Sequence, residues 1–233
     1  AEVVLGYSRT IDMPLDVLVA LTAGVKRGAP ETVVMADMPF LSYHGSEDEA
    51  IRNAGRFLTQ GLADIVKLEA DESFAPLVQK IARAGIPVCA HVGTRPQQVA
   101  LTGGYTAAGK TPKQAAQIVA DAVALERAGA VMLLIEAVPD QVTEDVLKAT
   151  TVPVIGIGAG PAPHGQVLVL QDLLGLTDRQ PPFAHPIAQL GTSIQTAAQK
   201  YVQMVAERQI GSRTPQMGTT SPKLSTEPRP ATN

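Results

Sequence analysis

With 233 residues, 45 % of them apolar, a formal net charge of −3 and one cysteine, the chain has the size for one large domain or two small ones. The charge has no block of like sign and aromatics make up only 3 %, with no Trp, which argues against a nucleic-acid surface and its stacked bases. A single cysteine excludes an intramolecular disulfide, and no apolar run is long enough to span a bilayer.

Residues 1–13, AEVVLGYSRTIDM, read as extended and loop-like. They have neither the basic nor the apolar region of a signal peptide, and no initiator Met, as expected of a chain that has been processed or cut. Asp12 ahead of Pro14 predicts an N-cap, with a helix through Leu15, Leu18, Val19 and Val25 to Gly28. VVMADMPF, 33–40, is a short apolar run that ends on Asp37 and is closed by Pro39, the pattern of a parallel strand buried on both faces. Ser46 and Glu49 predict a capping box for a helix bearing Ala50, Ile51, Ala54, Phe57 and Leu58, which Gly61 ends.

A strand follows at 64–69, a helix at about 74–84 ending at Gly85, and a strand at 87–92. GGYTAAGK, 103–110, is a long glycine-rich loop, and Tyr105 within it reads as part of a mobile loop rather than of the chemistry. Thr111, Pro112 and Gln114 open the next helix with a cap, a proline at N1 and a partner at N3, and it runs to Ala128 and Gly129. A strand at 130–137, a helix at about 141–149 and a strand at 152–158 follow; 165–175 reads as a last strand passing into a short helix, and 187–209 as a helix. Strict β-α alternation predicts an α/β fold with a parallel sheet. Strands begin near 33, 64, 87, 130, 152 and 166. A closed (β/α)8 barrel needs two more, and from the pattern alone a doubly wound open sheet is the alternative. After Gly211 the chain is rich in Pro, Ser and Thr, so 1–210 is expected to be one barrel domain and 211–233 a disordered tail.

The strands deliver polar groups at their C-terminal ends: Asp37, then Lys67 and Glu69, His91, and Glu136. In barrels that is where active sites lie. Each has a plainer reading. Asp37 could cap the next turn. Lys67 and Glu69, two apart on one strand and so on one face, could pair with each other. His91, taken alone, is more often a hydrogen-bonded core histidine. Glu136 follows five apolar residues, 131–135, where desolvation favours the neutral carboxyl and suits a base; otherwise it caps a helix or joins an ion pair. Cys89, inside a strand-like run, reads as a buried inert thiol. GIGAG, 156–160, lacks the G-x-G-x-x-G spacing of a phosphate cradle and reads as a tight turn near the site.

The segments VVLGY (3–7), KRGAPETVVMADMPFLSY (26–43), ADIVKLE (63–69), AGIPVCAHVGTRPQ (84–97), GGYTAAGK (103–110), ALERAGAVMLLIEAVP (124–139), VPVIGIGAG (152–160) and GQVLVLQDLLGL (165–176) resemble, in order, those of the ketopantoate hydroxymethyltransferase family. The resemblance implies a (β/α)8 barrel, a cytoplasmic homo-oligomeric enzyme (commonly a decamer) with no nucleic-acid or membrane partner, and transfer of a hydroxymethyl group from 5,10-methylenetetrahydrofolate to 3-methyl-2-oxobutanoate with Mg2+. Carried over residue by residue, it makes Asp37 a metal ligand that also meets the substrate. It puts Glu69 beside the metal through water, makes Lys67 and His91 contacts to the keto acid, and makes Glu136 the base. Family members begin with a strand, a helix and a second strand ending in G-D-S, whose Asp is a further metal ligand. The match here starts after that point, which accounts for the two strands not found. A sheet short of closure exposes two parallel edges, so the chain is expected to need that segment or a second subunit in order to fold as a soluble species. Leu21, Ser8, His164 and Ala137 stand where the family usually has His, Asp, Asp and Cys. These departures keep two rivals open: a catalytically impaired relative that acts in assembly or binding, and a Mg2+-dependent lyase of another 2-oxo acid on the same scaffold.

Overall fold

A computed structural model describes residues 1–177 and 180–211 of the chain. It divides into two compact units, Ala1–Ala188 and a second that starts at Gln189. In the first, six parallel strands are hydrogen-bonded in the order in which they occur in the chain. They are β1 Met35–Asp37, β2 Ile65–Glu69, β3 Val88–Gly93, β4 Met132–Glu136, β5 Val154–Ile157 and β6 Gly165–Gln166.

Consecutive order decides the architecture. A doubly wound sheet reverses its order at a switch point and covers both faces with helices. Here no reversal occurs, and successive crossovers of one hand put their helices on one face. The sheet curls as part of a (β/α)8-type barrel, with its other face turned inward.

Side chains sort by parity along each strand, because their period is two. Ala36, Val66, Leu68, Val88, Ala90, Val92, Leu133, Ile135 and Val154 face the helices and share their core. That core takes Ala50, Ala54 and Phe57 from α3 (Glu47–Thr59), Val78 and Ile81 from α4 (Ala75–Arg83), Ile118, Ala122 and Leu125 from α6 (Pro112–Arg127), and Val142 and Val146 from α7 (Asp140–Ala149). The opposite parity forms a separate small cluster of Ile65, Cys89 and Leu134 with Met35, Met132 and Ile157 around it. Cys89 is fully buried there, and burial pushes its thiol up to about 12, so it is the inert thiol expected.

The helix signals are realised unevenly. Thr111 and Gln114 form the reciprocal capping box of α6. At α3 only half forms: Ser46 accepts from Glu49 N–H, but the Glu49 carboxylate lies against Gly45 instead of reaching back. Asp12 is not a helix cap. Its carboxylate is taken by Arg9 at 2.6 Å, and the helix α2 (Leu15–Gly28) begins behind Pro14 without a side-chain cap. Nor are residues 1–13 wholly extended, since a single helical turn α1 (Glu2–Leu5) and a 3-10 turn (Thr10–Asp12) form locally. Two more short helices, α5 (Val99–Thr102) and α8 (Leu170–Leu173), lie in the loops after β3 and β6. In the second unit, α9 (Leu190–Ala206) carries Leu190, Ile194, Tyr201 and Val205 along one stripe, all exposed. The expected tail falls almost wholly on residues outside those described. No helix among the described residues is long and apolar enough to cross a membrane.

Phe57 is the largest fully buried side chain. Phe57→Ala should lower the unfolding free energy by about 3–5 kcal/mol, the usual cost of emptying an aromatic site. The measurement is the urea midpoint; a shift of less than a third of that would mean that the helix layer collapses onto the gap.

Candidate active site

The inward parity that carries Met35, Ile65, Cys89 and Leu134 lower on the strands carries Asp37, Lys67, Glu69, His91 and Glu136 further toward their C-terminal ends. Register brings them together. Asp37 pairs with Lys67 across β1 and β2, Glu69 with His91 across β2 and β3, and Gly93 with Glu136 across β3 and β4. All the sequence-derived candidates therefore lie on one end of one face.

The Lys67 ammonium sits 2.6 Å from Asp37 Oδ1. Burial pulls the lysine pKa down, but the Asp37 carboxylate and then Glu69 outweigh it and hold the ammonium above its ordinary value. Lys67 is thus a cation here, paired with Asp37 rather than with Glu69, which removes the plain Lys67–Glu69 salt bridge. Among the described residues that ammonium is the partner of Asp37 Oδ1. His91 is almost wholly buried; its Nε2 lies 3.2 Å from Glu136 Oε2, and its Nδ1 has no partner among the described residues. Burial moves its pKa down against the pull of Glu136, so the imidazole is neutral near pH 7.

Glu69 is placed by residues that the strand-end pattern did not reveal. Its two carboxylate oxygens accept from the Gln97 backbone N–H at 3.0 and 3.2 Å. The Gln97 side chain is itself held, its amide donating to Met38 O at 2.9 Å and accepting from the Tyr43 hydroxyl at 2.8 Å. Tyr43 in turn accepts from Glu69 N–H at 3.1 Å. This buried knot ties the ends of β1 and β2 to the loop after β3. TRPQ, 94–97, was visible only as part of a matching segment, because nothing local marks a glutamine whose partners are tens of residues away. Burial raises the Glu69 carboxyl to about 8 despite Lys67 and the Gln97 N–H, which lower it.

Glycines set how closely this end is built. Gly93 has φ +92, and a Cβ there would stand 2.6 Å from Glu136 O, so the loop after β3 lies directly against the end of β4. Gly158, φ +59, passes the Phe183 ring with no room for a Cβ, which makes GIGAG a tight strand-to-loop turn. His164, at a family departure, accepts from Val154 N–H at 3.0 Å and is structural. Tyr105 is tethered through its hydroxyl to Glu2 at 3.1 Å, and the loop around it walls a cavity of about 270 Å3 that Gly93, Thr94, Arg95 and Asp121 also line.

Among the described residues no three His, Cys, Asp or Glu side chains are grouped to hold a metal ion on their own. The Asp37 carboxylate, half-exposed and held by Lys67 through Oδ1, is nevertheless a hard oxygen donor, while Glu69 has both oxygens engaged. Such a donor set fits a cation like Mg2+ that takes one carboxylate from the protein and completes its octahedron with substrate oxygens and water.

Known proteins resemble this chain in sequence and in fold. The sequence profile of the family described as ketopantoate hydroxymethyltransferase matches residues 1–212. The 3-methyl-2-oxobutanoate hydroxymethyltransferase of Heliobacterium modesticaldum is 46 % identical over 206 residues, which cover 88 % of this chain and 75 % of that protein. The enzyme of the same name from Pyrobaculum aerophilum is 42 % identical over 211 residues, 91 % of this chain and 80 % of its own length. Among solved structures, a phosphonopyruvate hydrolase superposes with a TM-score of 0.50 over 91 % of this chain and 73 % of its own, at 14 % identity, a likeness of fold alone.

Glu69 makes stability depend on pH. Its carboxyl ordinarily titrates near 4.5 and is raised to about 8 in the fold, so its contribution is fully present below 4.5 and is lost as pH rises through 8. Glu69→Gln keeps an acceptor for the Gln97 N–H but cannot ionise. In metal-free buffer its melting temperature should match the parent's near pH 4.5 and exceed it at pH 8.5. An equal difference at both values would mean that Glu69 ionises freely.

Proposed function

The chain belongs to the ketopantoate hydroxymethyltransferase family, and from that premise we propose that the strand-end cluster transfers a hydroxymethyl group to 3-methyl-2-oxobutanoate. We further propose 5,10-methylenetetrahydrofolate as the one-carbon donor and Mg2+ as the cofactor. The observation that carries this reading is a set of incompletely paired, buried polar groups on the inner face. Among the described residues Asp37 Oδ1 meets the Lys67 ammonium, His91 Nε2 meets the Glu136 carboxylate, and His91 Nδ1 has no partner. A buried polar group left unpaired costs roughly 1–3 kcal/mol, and Nδ1 is free for a ligand.

The reaction removes the proton from carbon 3 of a 2-oxo acid and forms a carbon–carbon bond there to the one-carbon unit; the carbon–nitrogen bonds to the folate break, water supplies the hydroxyl oxygen, and tetrahydrofolate leaves. Lys67, held cationic by Asp37, suits the substrate carboxylate and is a poor base. Neutral His91 has a ring N–H to offer the 2-oxo oxygen, and its other nitrogen is unprotonated. Glu136, with its apolar approach along β4 and its carboxylate 3.2 Å from His91, takes the carbon-3 proton. Asp37 would hold the cation, with Glu69 reaching it only through water. When bound, Mg2+ would act as a Lewis acid toward the keto and carboxylate oxygens. Cys89 lies two residues below His91 on the same face and takes no part.

Two outcomes test these assignments. Glu136→Gln should bind keto acid and Mg2+ nearly normally yet lose deuterium wash-in at carbon 3 by about a hundredfold or more, the usual worth of a positioned base. If it exchanges at the parental rate while His91→Asn does not, the base is His91. Asp37→Ala should abolish Mg2+-dependent turnover while circular dichroism stays unchanged; undiminished activity at limiting Mg2+ would remove Asp37 from the metal site.

A further inference from the structure

We propose that Thr94 is a positioning residue for Glu136, and that its hydroxyl couples the glycine-rich loop 103–110 to the end of β4. The proposal rests on the assignment of Glu136 as the base. Thr94 is the first residue after β3 and is buried. Its backbone N–H donates to Glu136 O at 2.9 Å, next to the close approach of Gly93 to the same carbonyl. Its hydroxyl has one proton and two acceptors in reach: Thr106 O at 2.9 Å, in the loop, and Ala137 O at 3.4 Å, directly after Glu136.

Ala137 is where the coupling acts. It has φ +47, a left-handed conformation that an L residue other than glycine adopts only when its surroundings impose it. Three contacts impose it. Ala137 N–H donates to Ile157 O at 2.9 Å, Ala137 O accepts from Ala108 N–H at 3.0 Å, and the Thr94 hydroxyl stands over the same carbonyl. Two of the three come from the loop after β3. When the loop is seated, the turn after Glu136 is held; when the loop leaves, Ala137 loses those holders and the residue before it is free to shift. Seating the loop also closes one wall of the cavity that Thr94 and Gly93 share. Base alignment and loop closure are therefore one event.

The test uses the full chain with Thr94→Val, which keeps the shape and loses the hydroxyl, and Thr94→Ser, which keeps the hydroxyl. Thr94→Val should lower the maximal rate of carbon-3 deuterium wash-in roughly tenfold while half-saturating keto acid stays within about twofold, because misplacing a reacting group costs rate rather than affinity. Thr94→Ser should restore the rate. Amide hydrogen exchange at 104–110 and 136–138 should quicken in the valine variant and not in the serine one. Ala108→Pro removes the loop's N–H donor without touching Thr94 and should reproduce the loss of rate, which keeps the test open should Thr94→Val fail to fold. A parental rate in either variant, or equal impairment of the valine and serine variants, overturns the proposal. If the parent itself exchanges no deuterium at carbon 3, the proposed function falls, and the coupling stands or falls on the amide exchange alone.

Discussion

A β-strand alternates its side chains between two faces, and a parallel sheet wound in one direction has helices on only one of them. In this chain the helix-facing parity is apolar throughout, from Ala36 to Val154. The inward parity changes character along β1 to β4: Met35, Ile65, Cys89 and Leu134 below, and Asp37, Lys67, Glu69, His91 and Glu136 above. A slip of one residue in any strand would exchange the two sets, putting carboxylates among the helices and apolar side chains at the site. The large apolar cluster between sheet and helices thereby fixes the position of the polar one, although the two share no residue.

Ionisable groups gathered this closely cannot all carry charge independently. Lys67 stays charged because Asp37 is beside it, and His91 stays neutral because it is buried. Glu69 stands apart, walled by the knot of Gln97 and Tyr43, with its proton affinity raised to about 8. Such an arrangement is expensive in stability, and perturbed ionisation of this kind gathers at functional sites. Removing Asp37 would leave the Lys67 ammonium as an uncompensated buried charge.

The loop after β3 connects the parts. Within a short stretch it supplies the backbone N–H that holds Glu69 at Gln97 and the N–H that holds Glu136 at Thr94. It also supplies, through Ala108, a bond to the strained turn at Ala137. Two strand ends that do not neighbour each other in the sheet are aligned by one segment. Gly93 makes this possible, since any side chain there would separate the loop from β4.

The sequence by itself determined the α/β class, the six strands and their polar ends, and the residues that meet there, because burial imposes a period of two on strands and caps and glycines punctuate helices locally. It also carried the motifs that identify the family. Its periodicity alone did not choose between an open doubly wound sheet and the barrel that the resemblance implied, since strand order is a matter of which edges pair and not of local pattern. It misplaced the cap at Asp12, where a nearby Arg9 competes for the carboxylate, and over-read the box at Ser46, where side-chain packing decides whether the return bond forms. Only the tertiary structure paired Lys67 with Asp37 instead of Glu69, set Gln97 and Tyr43 behind Glu69, and joined Thr94 to Glu136. Each of those contacts spans tens of residues, and its partner is selected by the packing of the sheet and helices, which no local stretch of sequence contains.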